Sequence, residues 1–535
     1  MHSECLPFNL IPHSSLLFLD YLAYSGKARS FYPHPPQLTE WAQDEARRIA
    51  HGTDRRQRVA EVLERQNRRW DGSPETLRNI ERLRAGAAAI VTGQQVALFG
   101  GPLFAILKAL TAVRLAEEAT AAGVECVPIF WLATEDHDLE EVNHAWIPGP
   151  GGMLHRITAG SHGIEDAPVG SIRLGAEIEH AVAQAAELLG ESEATDLLRE
   201  SYRSGETMGS SFARLFARIF RPWGVIQVDA SDAELRRIAQ PIYRDAIENA
   251  EALDRALLER GRDLEEAGYH QQVKVTSSST LLFEIKDGQR TAVRRVNGGG
   301  FAVGEDKITR EQLLAMIAAT PENFSPNVLL RPVVQDFLLP TLAYTGGPAE
   351  VAYFAQAAVV FEKLLGRITP VLPRFSATLV EAKPQKLLER YKLRVADLFH
   401  GPEETRRLLA ERALPSGVQQ KFDGVAQLAE QKVADLLNEL ERLDPTLVDA
   451  GKHALSKMQY QLEQLRSRAA RAELRKNEEV ARQADALSAA LFPDKGLQER
   501  ETSGIYFLAR HGQTLLEELY RATQPRCPDH QIIYL

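Results

Sequence analysis

The sequence predicts an α/β fold: a Rossmann-like parallel-sheet core with two connecting insertions and a C-terminal α-helical coiled coil. Three observations predict it. A short apolar run, Ala87 to Val91, leads through glycines into an Ala/Leu-rich helical segment, Leu103 to Ala121, and then into a second apolar run, Cys126 to Ala133. That second run is continuous rather than alternating, as in a parallel strand buried on both faces, so strand, helix and strand make a βαβ unit. Far downstream, apolar residues from Val425 to Ala469 recur at threes and fours with charges between them, broken at Asp444-Pro445, which implies two long helices in a hairpin.

The remaining elements follow in order. Residues 36–85 are polar, Arg-rich and helical in pattern, with Trp41 and Trp70 as apolar anchors, so 1–85 is expected to be a helical preface. The core is expected over 86–383, interrupted by insertions at about 144–220 and about 240–330, the second with a hairpin-like stretch around 281–301. Between them, Val225 to Val228 is a short buried strand. The core pattern resumes with Leu338 to Tyr344 as a strand, Thr345-Gly346-Gly347-Pro348 as a turn, Glu350 to Leu365 as a helix and Ile368 to Leu372 as a strand. Residues 384–535 form the coiled-coil region and a tail. Each long helix carries one narrow apolar seam, met by the other helix or by a second copy of the chain, and a homodimer is expected.

Composition narrows the partners. Lys plus Arg number 63 against 73 Asp plus Glu, a net charge of -10 that disfavours adhesion to nucleic acid or anionic membrane. No stretch approaches the roughly 18 unbroken apolar residues of a membrane span, and the start of the chain has neither a basic n-region nor a small-residue cleavage site. Cys5, Cys126 and Cys527 are an odd number for a disulfide framework and have no metal-ligand spacing. A reducing cytoplasm is therefore expected, with no metal.

Polar turns at strand ends carry the chemistry. Thr92-Gly93-Gln94-Gln95 and Gly100-Gly101-Pro102 flank the start of the first crossover helix, where free backbone N–H groups can hold a phosphate or carboxylate; the alternative is an ordinary tight turn. Neither GxGxxG nor a P-loop is present there. Lys108, further along the same segment, reads as a snorkelling surface lysine. Glu135-Asp136-His137-Asp138 follows the second strand at its carboxyl end, where open α/β sheets bind ligands. Asp136, His137 and Asp138 can ligate a divalent metal, orient an amine or supply a general base; the alternative is a solvated loop capping the next helix. A third turn, Gly346-Gly347 with Glu350 and Tyr353, again joins a strand to a helix. Arg510-His511-Gly512 matches the histidine-phosphatase signature in letters only, since that motif ends a first strand and here the chain ends shortly after it. His511 is thus expected to pack or hydrogen-bond, and Cys126 to be a small core residue.

Taken together, Val91-Thr92-Gly93-Gln94-Gln95, Phe99-Gly100-Gly101-Pro102-Leu103, Phe130 to Asp138 with Asn143-His144, Arg331-Pro332 through Leu339-Pro340-Thr341 to Gly346-Gly347-Pro348, and Leu491-Phe492-Pro493 with Leu497-Gln498-Glu499-Arg500 resemble the bacillithiol-synthesis enzyme family that adds cysteine to glucosaminyl malate. The motifs run in family order over nearly the whole chain. The resemblance implies a Rossmann-like core, two insertions, a dimerising coiled coil and distant kinship to class I aminoacyl-tRNA synthetases, which activate amino acids as adenylates. ATP is the activating agent this kinship suggests, although there is no HIGH tetrapeptide and Lys274 to Ser278 only loosely matches a KMSKS loop. The working expectation is that Thr92 to Gln95 with Gly100-Gly101 holds a carboxylate or phosphate. Asp136, His137 and Asp138, with Glu135 and Asn143 nearby, handle the glucosamine amine. Gln335, Gly346, Gly347, Glu350 and Tyr353 complete the wall. The rival readings are a Rossmann-like nucleotide-binding dimeric scaffold and an acyl or nucleotidyl transferase acting on another amine.

Overall fold

The computed structural model describes residues 2–160, 167–296, 299–476, 478–523 and 527–535. The chain opens on β1 (His2–Leu6), and the preface then supplies the helices Thr53–Arg69 and Pro74–Ala85. The second of these starts on Ser73, whose hydroxyl accepts from the Thr76 N–H, and ends at Gly86 with φ 124°, a conformation glycine adopts without strain.

The core follows as β2 (Ala88–Gln95), the helix Leu103–Ala121 and β3 (Cys126–Ala133). β2 and β3 are parallel and in register from Ala88 opposite Cys126 to Gln95 opposite Ala133. Thr92 to Gln95 are therefore strand rather than turn, because continued pairing with β3 supplies the backbone partners a turn would forgo. The chain turns only at 96–102.

The first insertion is the hairpin β4 (His144–Pro148) and β5 (Leu154–Thr158) followed by three helices, after which β6 (Ile226–Asp229) returns to the core. The second contains β7 (Ser279–Lys286), β8 (Gln289–Arg295), β9 (Phe301–Val303), β10 (Asp306–Ile308) and β11 (Phe324–Pro326), an antiparallel sheet ordered β10-β9-β8-β7-β11. Then come β12 (Thr341–Gly346), the helix Pro348–Leu365 and β13 (Val371–Pro373). Leu338 ends the helix Arg331–Leu338 rather than opening the strand, since Pro340 delays pairing. The core sheet is parallel and ordered β13-β12-β2-β3-β6. Order reverses between β2 and β12, and a crevice opens there at the carboxyl ends of the strands.

The C-terminal part begins with β14 (Ala377–Val380) and includes the helices Ser416–Leu443 and Leu447–Lys476, the expected hairpin. The chain then returns to the core. Its last residues form β15 (His530–Tyr534), not a loose tail: β15 lies between β1 and β14, antiparallel to one and parallel to the other. This pairing brings the two ends of the chain together and joins Cys5 to Cys527 in a disulfide, with Cα atoms 6.4 Å apart. The cysteine count had argued against any disulfide; the pair arises from a contact between residues at opposite ends of the sequence. Cys126 is free and buried.

Candidate active site

At the switch point lies a cavity of about 360 Å³ lined from β2, β3, the helix starts beyond them and the C-terminal segment. Gly93 lies tightly packed in its floor: a Cβ there would stand 3.2 Å from the Trp131 carbonyl and 3.5 Å from the Tyr344 hydroxyl, so the Trp131 backbone would have to give way slightly.

One side is acidic. The Gln95 amide donates to Asp136 Oδ2 at 2.6 Å and to Glu141 Oε2 at 2.9 Å, and the His137 N–H donates to Asp136 Oδ1 at 2.8 Å. Both oxygens of Asp136 thus carry a donor while the side chain still faces the cavity. Glu135, also at the cavity edge, is buried in an ion pair with Arg236 at 2.8 Å; Arg236 in turn donates to the Glu322 carbonyl and so ties the second insertion to the site. Neighbouring Arg290 feels both Glu135 and Asp136, though burial is the larger influence and lowers its pKa.

The other chemistry is cationic. Lys108 is not at the surface: it is 4% exposed, and its ammonium reaches Glu350 at 2.7 Å, the Gly93 carbonyl at 2.8 Å and Gln94 Oε1 at 3.0 Å. All three of its N–H donors are used, which requires the protonated form. Burial lowers the Lys108 pKa against the pull of Glu350. Burial works against ionisation of Glu350 as well, but Lys108, the Tyr344 hydroxyl and the Gly347 N–H outweigh it and hold the carboxyl below its ordinary range. Arg331 donates to the Tyr353 hydroxyl at 2.6 Å. Arg374 and Arg500 line the same cavity.

Gly93, Gln94, Gln95, Glu135, Asp136, Gly347, Glu350 and Tyr353 are therefore brought together at the cavity. Other expected residues stand outside its lining. Thr92 is buried and donates to the Thr345 carbonyl, joining β2 to β12. His137 is exposed beside Asp136, with Nδ1 3.8 Å from Oδ1. Asp138 caps the short helix Leu139–Val142 through the Glu141 N–H, and Asn143 ends that helix. Gln335 is buried in its helix, and the Gly346 carbonyl accepts from the Arg374 N–H.

Gly100 and Gly101 do not form the expected anion site, because their surroundings consume the N–H groups. Gly100 N–H donates to the Tyr202 hydroxyl, Gly101 N–H to the Leu98 carbonyl and Leu103 N–H to the Thr502 carbonyl at 2.9 Å. Gly100, with φ 84°, also packs where a Cβ would lie 3.2 Å from Leu215 and Phe216. A nucleotide triphosphate does not fit a helix start closed in this way. Among the described residues no group of three or more His, Cys, Asp or Glu side chains is placed to hold a metal. His511 accepts its expected role, pairing with Glu381 at 3.2 Å away from this cavity.

Sequence reasoning missed Lys108, Arg331, Arg374 and Arg500 as wall residues. Arg331 and Arg500 lie inside the family-like motifs, which was the one available signal; Lys108 and Arg374 lie outside them.

Comparison with known proteins bears on the whole chain. Residues 1–375 match the family model described as bacillithiol biosynthesis BshC, N-terminal Rossmann-like domain, and residues 377–535 match its C-terminal coiled-coil domain. The chain belongs to the bacillithiol biosynthesis BshC family. Similar members, each named "Putative cysteine ligase BshC", include one from Koribacter versatilis, 49% identical over the full length of both chains. Another, from Solibacter usitatus, is 37% identical, again over the full length of both. A third, from Salinibacter ruber, is 35% identical over 97% of this chain and 96% of its own. The Rossmann-like sheet and the helical hairpin described above are the two parts that the family descriptions name.

Proposed function

We propose that this chain is a carbon–nitrogen ligase that joins cysteine to the amine of glucosaminyl malate, the last step of bacillithiol biosynthesis. One observation carries the reading beyond family membership: a single cavity combines an acidic edge, Asp136 and Glu141, with arginines 331, 374 and 500. Such a cavity suits a substrate that bears an amine at one end and carboxylates at the other.

Asp136 is the residue assigned to the amine. Gln95 and the His137 N–H fix its carboxylate, leaving it oriented toward the cavity as a proton acceptor. In the proposed step the amine nitrogen attacks the carbonyl carbon of a carboxyl-activated cysteine. The C–N bond forms, the leaving group departs with its bonding electrons, and the amine proton passes to Asp136. His137 and Asp138 support the geometry of this loop rather than meet the substrate. Lys108 and Glu350, each occupied by the other, keep the floor rigid.

The chain is proposed to act as a homodimer. Val425, Leu428, Leu436, Met458 and Leu465 are all more than half exposed along the two long helices, and no residue of Ser416–Leu443 is buried. An apolar stripe of that length is what a second copy would cover.

Thiol profiling of cells lacking the protein tests the function. Loss of bacillithiol with accumulation of glucosaminyl malate is expected. Unchanged thiol pools would refute the reading in favour of a scaffold, and accumulation of a different amine would favour a different acyl transfer.

A further inference from the structure

The cavity wall contains one cation whose anchor comes from far outside the core. Arg374 lies just after β13 and is 6% exposed. Its guanidinium donates to both oxygens of Glu499, at 2.6 Å to Oε1 and 3.1 Å to Oε2, and to the Phe375 carbonyl at 2.8 Å. Glu499 is 1% exposed and takes two more hydrogen bonds, from the Ser376 hydroxyl at 2.8 Å and the Ala377 N–H at 2.9 Å. A carboxylate taken wholly out of water is tolerated only when its lone pairs are met and a cation faces it, and here both conditions hold. Although burial opposes ionisation of Glu499, Arg374 and these donors bring its pKa below the ordinary range.

The charges inside the cavity give this pair its meaning. Three cations surround the Phe104 ring: Arg374 at 5.3 Å, Lys108 at 5.5 Å and Arg500 at 5.8 Å from its centroid. Glu350 offsets Lys108, and Glu499 offsets Arg374. Arg500 has no carboxylate at ion-pair distance among the described residues. The cluster therefore holds its shape and keeps Arg500, which acts on the Glu501 carboxyl only through space, as a cation on the cavity wall, which suits an anionic group.

We propose that Glu499 is a positioning residue that fixes Arg374 in the anion-binding wall of the cavity, so that the returning C-terminal segment completes a site otherwise built by the core. The kinetic form of this inference rests on the ligase reading above. The same short segment supplies Arg500 directly and, through Thr502, closes the helix start at Leu103. Glu499 itself does not line the cavity and acts through Arg374.

Two measurements test it. Reaction with phenylglyoxal, followed at Arg374 by peptide mass spectrometry, reads the anchor without reference to any substrate. Wild type should be protected, and Glu499→Gln, with an unchanged circular dichroism spectrum, should react roughly tenfold faster or more, as a released guanidinium would. Equal protection of Arg374 in a folded Glu499→Gln protein would overturn the proposal. Steady-state kinetics with glucosaminyl malate supplies the second measurement. Glu499→Gln should raise KM about tenfold with kcat within roughly threefold, and adding it to Arg374→Lys should cost nothing beyond Arg374→Lys alone. Losses that multiply in the double variant would assign Glu499 a role independent of Arg374 and overturn the proposal. Should Glu499→Gln not fold, Ser376→Ala removes one hydrogen bond from the carboxylate while keeping the ion pair, and the same two readouts apply at about a few-fold. A wild-type protein that does not turn over glucosaminyl malate would sink the ligase reading, while the labelling arm would still decide whether Glu499 anchors Arg374.

Discussion

The core crevice and the helical hairpin 416–476 treat their key side chains in opposite ways. In the crevice, charges are buried and matched: Lys108 with Glu350, Glu135 with Arg236, Arg374 with Glu499. On the hairpin a stripe of apolar residues, among them Val425, Leu428 and Leu436, is exposed, and ion pairs such as Arg442 with Glu439 and Lys432 with Asp435 lie in solvent. Buried pairs define geometry because removal of either partner strands a charge, whereas exposed pairs contribute little. The contrast separates a crevice ordered by pairs within the chain from a hairpin whose two helices pack on each other and leave an apolar stripe for the proposed second copy.

The most severe break in the crevice should be Lys108→Met. It leaves the Glu350 carboxylate without its cation, and unfolding by denaturant should show a loss of about 3–5 kcal/mol, the usual cost of halving a buried pair. Adding Glu350→Gln should recover part of that loss. A Lys108→Met protein as stable as wild type would mean that the pair does not organise the floor.

Next in size is Asp136→Asn, which should lower turnover by about 10²-fold with melting temperature unchanged, because the side chain is partly exposed and its loss removes a proton acceptor rather than a packing group. His137→Ala should have a smaller effect on turnover, as its ring stands outside the cavity lining. Equal and large losses from both would restore the histidine to a direct role.

On the hairpin, Leu428→Glu with Leu436→Glu should convert a dimer to a monomer in analytical ultracentrifugation while moving core stability by only about 0.5 kcal/mol, the usual range for exposed positions. A double variant that stays dimeric would place the interface elsewhere. Leu437 and Leu440 are the wrong choices for this test, since both approach Gly451 and pack within the hairpin.

The smallest expected effect is a pH dependence beside the crevice. His530 in β15 is fully buried between the Ser376 and Thr378 hydroxyls, and burial lowers its pKa to about 4, against a smaller opposing pull from Glu499. An unfolded histidine takes its proton near pH 6.5, whereas this one stays neutral until about pH 4. Its contribution is therefore complete above pH 6.5 and is lost as the pH falls from 6.5 toward 4. His51 is lowered to about 4 as well, also chiefly by burial, and adds in the same direction. Thermal melts of His530→Asn across this window should fall less steeply than those of wild type without becoming flat. Parallel slopes would remove His530 from the account.

Much of this was legible in the sequence, and the exceptions share a cause. β3 announces itself because a strand buried on both faces is apolar at every position, and the hairpin because its seam repeats every three or four residues. The same local logic misplaced Lys108: charged residues on helices are usually exposed, but the helix Leu103–Ala121 is buried along most of its length, so its one early lysine is enclosed and must be paired. It also assigned an anion to the helix start at Leu103, where the structure puts the Thr502 carbonyl from some 400 residues later in the chain.

The sequence by itself determined the class of fold, the order of its parts, the acidic group after β3 and the family, because each rests on neighbouring residues whose spacing encodes burial or backbone demand. Only the tertiary structure decided which charges meet. Arg374 and Glu499, Glu135 and Arg236, and Cys5 and Cys527 are pairs whose attraction or bonding depends on distance in space, and nothing in their local sequence distinguishes them from solvated neighbours. The cavity lies where the returning C-terminal segment, the second insertion and the core sheet converge, and desolvation at that convergence makes the matching of charges obligatory.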